Sequence, residues 1–318
     1  MHALIIVDLE GIIGVYDFSD MNRNKMLMTQ ETIVVIDSLR TLGIEYITVC
    51  DAHDSGNNIV REELNHENLD IVTHLWNLDF SKSYDFALLI GYHAMAGTAG
   101  VIPHTFRPDI LYAMVDDVTS GEIGIIYQLL NENNIPLIFV SADKSGIEEA
   151  QGLSESISVF CTKFHENNHD SITSNIYHQL SKTVIEVGHT FISSQEIFNK
   201  IDSNYKQIAI HLMNIDCIKF ITNKDIIYGD ELLFESASEF VKILPSICND
   251  LNNASKHIYG ENREFVLLLR DLYKDIDSSL FDDDLKTSLF KNLQTLTRSE
   301  RDAILLKLEI LKEQQGVQ

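Results

Sequence analysis

The chain has 318 residues, 45% of them hydrophobic, enough to bury a sizeable core in one large or two moderate domains. Lys and Arg number 24 against 48 Asp and Glu, and the formal charge of -24 repels phosphate backbones and anionic lipid surfaces. Nucleic acid and membrane partners are therefore not expected.

Residues 3–7 (ALIIV) read as a buried strand that runs into Asp8, Glu10 and Gly11. Alternation of side chains along an extended chain would send Asp8 and Glu10 to the same side. From Thr29 to Leu42 the periodicity is helical, with Thr29 as the expected N-cap, Glu31 as a first-turn carboxylate and Gly43 as the stop. A second strand over 45–51 leads to His53, and a third over 86–93 ends on His93. A helix over 121–134 and a strand over 136–143 follow. Strands alternating with helices of this length predict an α/β fold, a mostly parallel sheet flanked by helices, whose ligands gather beyond the carboxyl ends of the strands.

Beyond Gly146 the pattern continues with a strand near 157–164, a helix over 171–187 and a strand over 207–213, read as a smaller second α/β domain. From Asn253 the chain turns amphipathic and helical, notably over 263–276 and 300–314. The expected division is a catalytic α/β domain over 1–150, a smaller one over 151–252 and a helical extension over 253–318. Cys50, Cys161, Cys217 and Cys248 form no C-x-x-C pair and are expected as reduced thiols. No run approaches the roughly 18 apolar residues of a membrane span. The N-terminal segment lacks a basic n-region and a cleavage site, so the chain is read as cytoplasmic.

Taken singly, the polar residues at these strand ends are weak signals. Acidic groups often solvate such ends, a lone histidine is usually a hydrogen-bonded structural group, and Glu122 at a helix start suits the helix dipole. Together they are harder to treat so. Imidazoles and carboxylates are zinc ligands, and a pair of ions needs a bridging carboxylate between their charges. Asp8, Glu10, His53, His93 and Glu122 are thus the candidate ligands. His104, behind the glycine-containing segment AMAGTAG, is the candidate proton-transfer or oxyanion-stabilising group. HENNH at 165–169 formally matches the zincin motif H-E-x-x-H, but its two asparagines and the strand before it favour a polar loop. No G-x-S-x-G elbow or phosphate-binding loop is present, which disfavours serine-hydrolase and nucleotide chemistry.

At this point the sequence resembles the bacterial D-aminopeptidase family of zinc metallopeptidases associated with dipeptide-transport operons. The matching segments are VDLEG (7–11), DAH followed by Asn57 and Asn58, GYHA (91–94), the run ending at His104, and GEIG (121–124). The resemblance is strong over about 1–150 and absent from the helical extension. It implies two zinc ions held by Asp8, Glu10, His53, His93 and Glu122, with Asp8 as the bridge and His104 as the catalytic histidine. It further implies cleavage of N-terminal D-amino acids from short peptides and assembly as a homo-oligomer, a decameric ring. The rival expectations are a two-metal hydrolase of some other amide, such as a modified peptide or natural product, and a metal-binding scaffold whose helical tail binds a partner.

Overall fold

The computed structural model describes residues 1–64, 66–163, 174–194, 204–212, 215–229 and 231–259, with four further positions between 304 and 310. The HENNH segment and the 263–276 helix expected from the sequence lie outside them, as does most of 300–314.

Six parallel strands form the main sheet: β1 (His2–Val7), β2 (Tyr46–Asp51), β3 (Leu69–Thr73), β4 (Phe86–Tyr92), β7 (Leu137–Asp143) and β8 (Ser158–Lys163). Their spatial order is β3-β2-β1-β4-β7-β8. Both faces of this sheet are covered, and the strands read accordingly as near-continuous apolar runs. On one face Ala3, Ile5 and Val7 of β1 and Phe86, Leu88 and Ile90 of β4 pack against α1 (Met21–Thr41) and α4 (Ser174–Ser193). On the other, Leu4, Ile6, Ala87 and Leu89 meet α2 (Glu122–Glu132), α3 (Lys144–Leu153) and a second sheet. Each fully buried Leu, Ile or Val contributes about 1.5–3 kcal/mol of transfer free energy, so the double-sided core firmly sets the strand register.

The second sheet has five strands, is antiparallel throughout and follows the order β10-β11-β9-β5-β6. It combines β5 (Ile110–Val115) and β6 (Val118–Ser120) with β9 (Ile208–Leu212), β10 (Ile227–Tyr228) and β11 (Glu231–Phe234), and so takes strands from either side of residue 150. The hairpin β5–β6 is absent from the sequence reading. Its strands are short and partly exposed, and their burial follows no regular alternation. α5 (Ala237–Tyr259) packs on α2 and closes this layer. Among the described residues no helix is long and apolar enough to cross a membrane.

Two local expectations are corrected. The first helix starts eight residues before Thr29: Asp20 is its N-cap, accepting from Arg23 N at 3.0 Å, and Thr29 instead donates its hydroxyl to Lys25 O. The polar stretch MNRNK hid those first turns. Gly43, at φ 79°, does end the helix, in the left-handed conformation that glycine adopts without strain. The carboxylate of Glu31 does not face solvent at a helix start; it is buried mid-helix and accepts from Ile13 N at 2.9 Å and Ser141 Oγ at 3.2 Å.

Candidate metal centre

Strand order reverses between β1 and β4, for β2 and β3 lie on one side of that pair and β7 and β8 on the other. A crevice opens at such a switch point, beyond the carboxyl ends of the strands. Asp8 and Glu10 follow β1, His53 follows β2 and His93 follows β4, so four of the six candidates arrive there by topology alone.

The loop after β1 is pinned tightly. Gly11 N donates to Gly91 O at 2.7 Å, and a Cβ on Gly11 would collide with the Tyr92 carbonyl. Gly91, at φ 71°, has no room either, since a Cβ there would lie 2.5 Å from Asp8 O. From β8, Thr162 Oγ1 donates to Gly11 O at 2.6 Å and the buried Lys163 ammonium donates to Glu10 O. Asp8 and Glu10 converge because the chain turns after Val7, with Ile12 N bonded to Leu9 O, and not through strand alternation. His53 is held by its own loop: Asn58 Nδ2 donates to His53 O at 2.6 Å, while buried Asp51 accepts from Asn58 N at 2.6 Å and Ile59 N at 3.0 Å.

The crossover from β4 to β7 supplies the rest. His104 N donates to Ala94 O at 3.2 Å, which stacks the His104 ring on that of His93 at 4.3 Å and 9°. After the hairpin β5–β6 the chain enters α2 at Glu122, whose Oε1 accepts from Phe106 N at 2.7 Å. All six predicted residues thus meet in one place.

Their polar atoms point at one another, and His53 Nδ1 and Asp8 Oδ1 are in hydrogen-bonding geometry. His53 Nδ1 lies 3.3 Å from Asp8 Oδ1 and 2.9 Å from Glu10 Oε2, and His93 Nε2 lies 3.2 Å from Asp8 Oδ2 and 3.4 Å from Glu122 Oε1. Asp8 Oδ2, Glu10 Oε2 and His93 Nε2 are buried with no partner in hydrogen-bonding geometry. Such orphaned atoms are costly unless something binds them. Ligand-type atoms of Asp8, Glu10 and His53 lie within 4.8 Å of one another; so do those of Asp8, His93 and Glu122, and those of Glu10, His93 and His104. Asp8 belongs to the first two groups.

Tautomers follow from the outer hydrogen bonds. His93 Nδ1 sits 2.9 Å from Ala94 O and His104 Nδ1 3.0 Å from Ile102 O; a carbonyl only accepts, so both rings carry their proton on Nδ1 and turn Nε2 to the cluster. Burial opposes charge here, yet the carboxylates of Glu10 and Asp8 raise His53 to about 11, and Asp8 and Glu122 raise His93 well above its ordinary value. Burial would likewise raise Asp8, but His53 and His93 hold it well below the carboxylate range. His104 is pushed down to about 4, first by burial and then by the neighbouring His93. The His93 side chain is 2% exposed, that of His53 12% and that of His104 18%, so an incoming molecule meets His104 and His53 first. The half-exposed ring of Phe18 stands 5.9 Å from the His53 ring at this opening.

Residues 1–193 match the family model of peptidase family M55, described as D-aminopeptidase. The chain belongs to this D-aminopeptidase family. A D-aminopeptidase of Bacillus subtilis (strain 168) is 28% identical over 177 residues, covering 51% of this chain and 64% of that protein. The chain thus spans a little under two thirds of the length of that curated relative. The solved structure of the Zn-dependent D-aminopeptidase DppA from Bacillus subtilis, described as a self-compartmentalizing protease, shares the fold. Its TM-score is 0.67 at 20% identity, covering 79% of this chain and 98% of that one.

Within the D-aminopeptidase family segment, four polar residues brace the cluster in roles that the sequence does not give them: Glu31, Asp51 and Lys163, which are buried, and the partly buried Glu149. Burial raises the carboxyls of Glu31 and Glu149 to about 7 and lowers Lys163 to about 8. Only Asp51 carries a sequence signal, as a strand-end acid two residues before His53.

Proposed function

We propose that the chain is a zinc-dependent aminopeptidase that hydrolyses the amide bond after an N-terminal D-amino acid of short peptides, at a pair of ions. The observation that carries this reading is the division of Asp8: Oδ1 faces His53 and Oδ2 faces His93, as a carboxylate shared between two neighbouring ions would. Asp8, Glu10 and His53 would hold one ion, and Asp8, His93 and Glu122 the other, by nitrogen and oxygen donors that suit zinc. Bound zinc supplies a water of lowered pKa and polarises the scissile carbonyl.

The residues do the remainder. The Ala94 and Phe106 backbone groups fix the donor atoms of His93 and Glu122, so little reorganisation accompanies binding. His104 turns Nε2 towards Glu10 Oε1 at 3.5 Å and Glu122 Oε1 at 3.8 Å and is not needed to complete either ligand group. From there it takes up a proton and delivers it to the leaving amine, or in its charged form steadies the developing oxyanion. The acidic surroundings favour a substrate that carries a free ammonium group, as the N-terminus of a peptide does. We further read the protein as a cytoplasmic homo-oligomer, in keeping with the self-compartmentalizing relative; the ring of ten is the form implied by the sequence resemblance.

The test is hydrolysis of a panel of D- and L-aminoacyl dipeptides and anilides by protein stripped with a chelator and then titrated with zinc. Cleavage of the D-series that appears with added zinc is the expected result. A zinc-saturated chain that cleaves no member of either series contradicts the proposal.

A further inference from the structure

Glu122 heads α2, and the setting of that first turn is decided from another helix. The opening amides of a helix have no intrahelical partner, and Gly121, the N-cap of α2, offers no side chain to take them. Glu149 of α3 does so from outside: its Oε1 accepts from Gly121 N at 2.7 Å and from Gly124 N at 2.9 Å. Glu122 stands between the two bonded residues.

The glycines of GEIG are shaped around this carboxylate. A Cβ on Gly121 would lie 2.6 Å from Glu149 Oε2 and 2.6 Å from Met95 Cβ, and a Cβ on Gly124 would lie 3.1 Å from Glu149 Oε1 and 3.0 Å from Ser120 Cβ. Glu149 Oε2 is closed off from solvent and has no hydrogen-bond partner. α3 is itself fixed against the same part of the site. Its N-cap Asp143 accepts from Gly146 N at 2.9 Å, and Gly146 approaches the backbone of His93 so closely that a Cβ would lie 3.1 Å from the His93 carbonyl oxygen. One helix thus braces both His93 and Glu122, and neither Glu10 nor His53.

We propose that Glu149 is a positioning residue for one half of the site. Through the first turn of α2 it fixes the Glu122 carboxylate opposite His93, and so sets the affinity for the ion held by Asp8, His93 and Glu122 while leaving the Asp8, Glu10 and His53 half unchanged. This rests on the two-ion reading above. A cap that served helix stability alone would not distinguish the two halves.

The experiment is a zinc titration of the metal-free full chain against a chromophoric chelator, with the visible spectrum of the cobalt-substituted protein as a second readout. It is run on the wild type, Glu149→Ala and Glu149→Gln, with circular dichroism confirming the fold. The wild type should take up two ions. Glu149→Ala should keep one and bind the other roughly 10- to 100-fold more weakly, the loss usual when an outer partner of a ligand is removed. Glu149→Gln keeps an acceptor oxygen for both amides and should recover most of that loss. Should Glu149→Ala not fold, Gly124→Ala presses on the same oxygen from the α2 side and should weaken the same ion. Equal weakening of both ions, no weakening, or a glutamine variant as poor as the alanine one overturns the inference. A wild type that binds fewer than two ions overturns the two-ion reading together with this inference, and that outcome is read on the wild type alone.

Discussion

The two halves of the site are built by different means. The half made of Asp8, Glu10 and His53 hangs on loops that directly follow the adjacent parallel strands β1 and β2. The half completed by His93 and Glu122 takes His93 from the end of β4 but owes Glu122 to the long crossover between β4 and β7, which passes through a hairpin of the second sheet before α2 delivers the carboxylate. The first half is more open, at His53, and the second more deeply enclosed, at His93. A doubly wound sheet brings strand-end side chains together as a matter of topology, whereas bringing Glu122 to the same point takes a separate scaffold that carries the chain back.

The largest effect should come where the halves meet. Asp8→Ala removes a donor from each ligand group and leaves two imidazoles without their shared counter-charge. Elemental analysis should find neither zinc ion, with turnover at background; a variant that keeps one full equivalent would show that the halves do not share Asp8. Next comes His104→Ala, which should leave both ions in place while kcat falls roughly 10²- to 10⁴-fold, the range of a lost general acid or base. Unchanged kcat at full metal content would assign the proton transfer elsewhere.

A smaller, one-sided effect is expected from Asn58→Ala, which cuts the bonds from Asn58 Nδ2 to His53 O and to Asp51 Oδ1. Zinc affinity of the His53 half should fall about tenfold and that of the other half stay as it was. Equal losses in both halves would mean that they are not independently braced.

The smallest effect is on pH dependence. Glu31 has its carboxyl raised from 4.5 to about 7 by burial. Between these values the unfolded chain has released a proton that the folded chain still holds, so stability declines as pH rises through that window. Glu31→Gln should flatten that part of the stability profile of the metal-free protein, measured by denaturant unfolding at a series of pH values. An unaltered slope would show that Glu31 is already ionised in the fold.

The same contrast explains what could be read from the sequence. Asp8, Glu10, His53 and His93 are legible because each lies within three residues of the end of an apolar run, and a parallel sheet places such ends together. Glu122 and His104 became convincing only through their spacing in the family pattern. The strands that carry the chain from one to the other, ILYAMV and VTS, are short and partly exposed and give no clear period. Glu149 was not legible at all: it stands beside the exposed Glu148 in an ordinary acidic stretch, and only the rotation of α3 decides which of the two turns inward. Lys163 misleads in the same way, since a lysine at a strand end is normally solvated. Here it is buried against the Glu10 carbonyl, with its ammonium 5.5 Å from the centre of the Tyr16 ring.

Anomalous diffraction from crystals grown with zinc tests the central claim most directly. Two peaks roughly 3.5–4 Å apart are predicted, one among Asp8, Glu10 and His53 and the other among Asp8, His93 and Glu122. A single peak, or ions seated away from Asp8, would contradict it.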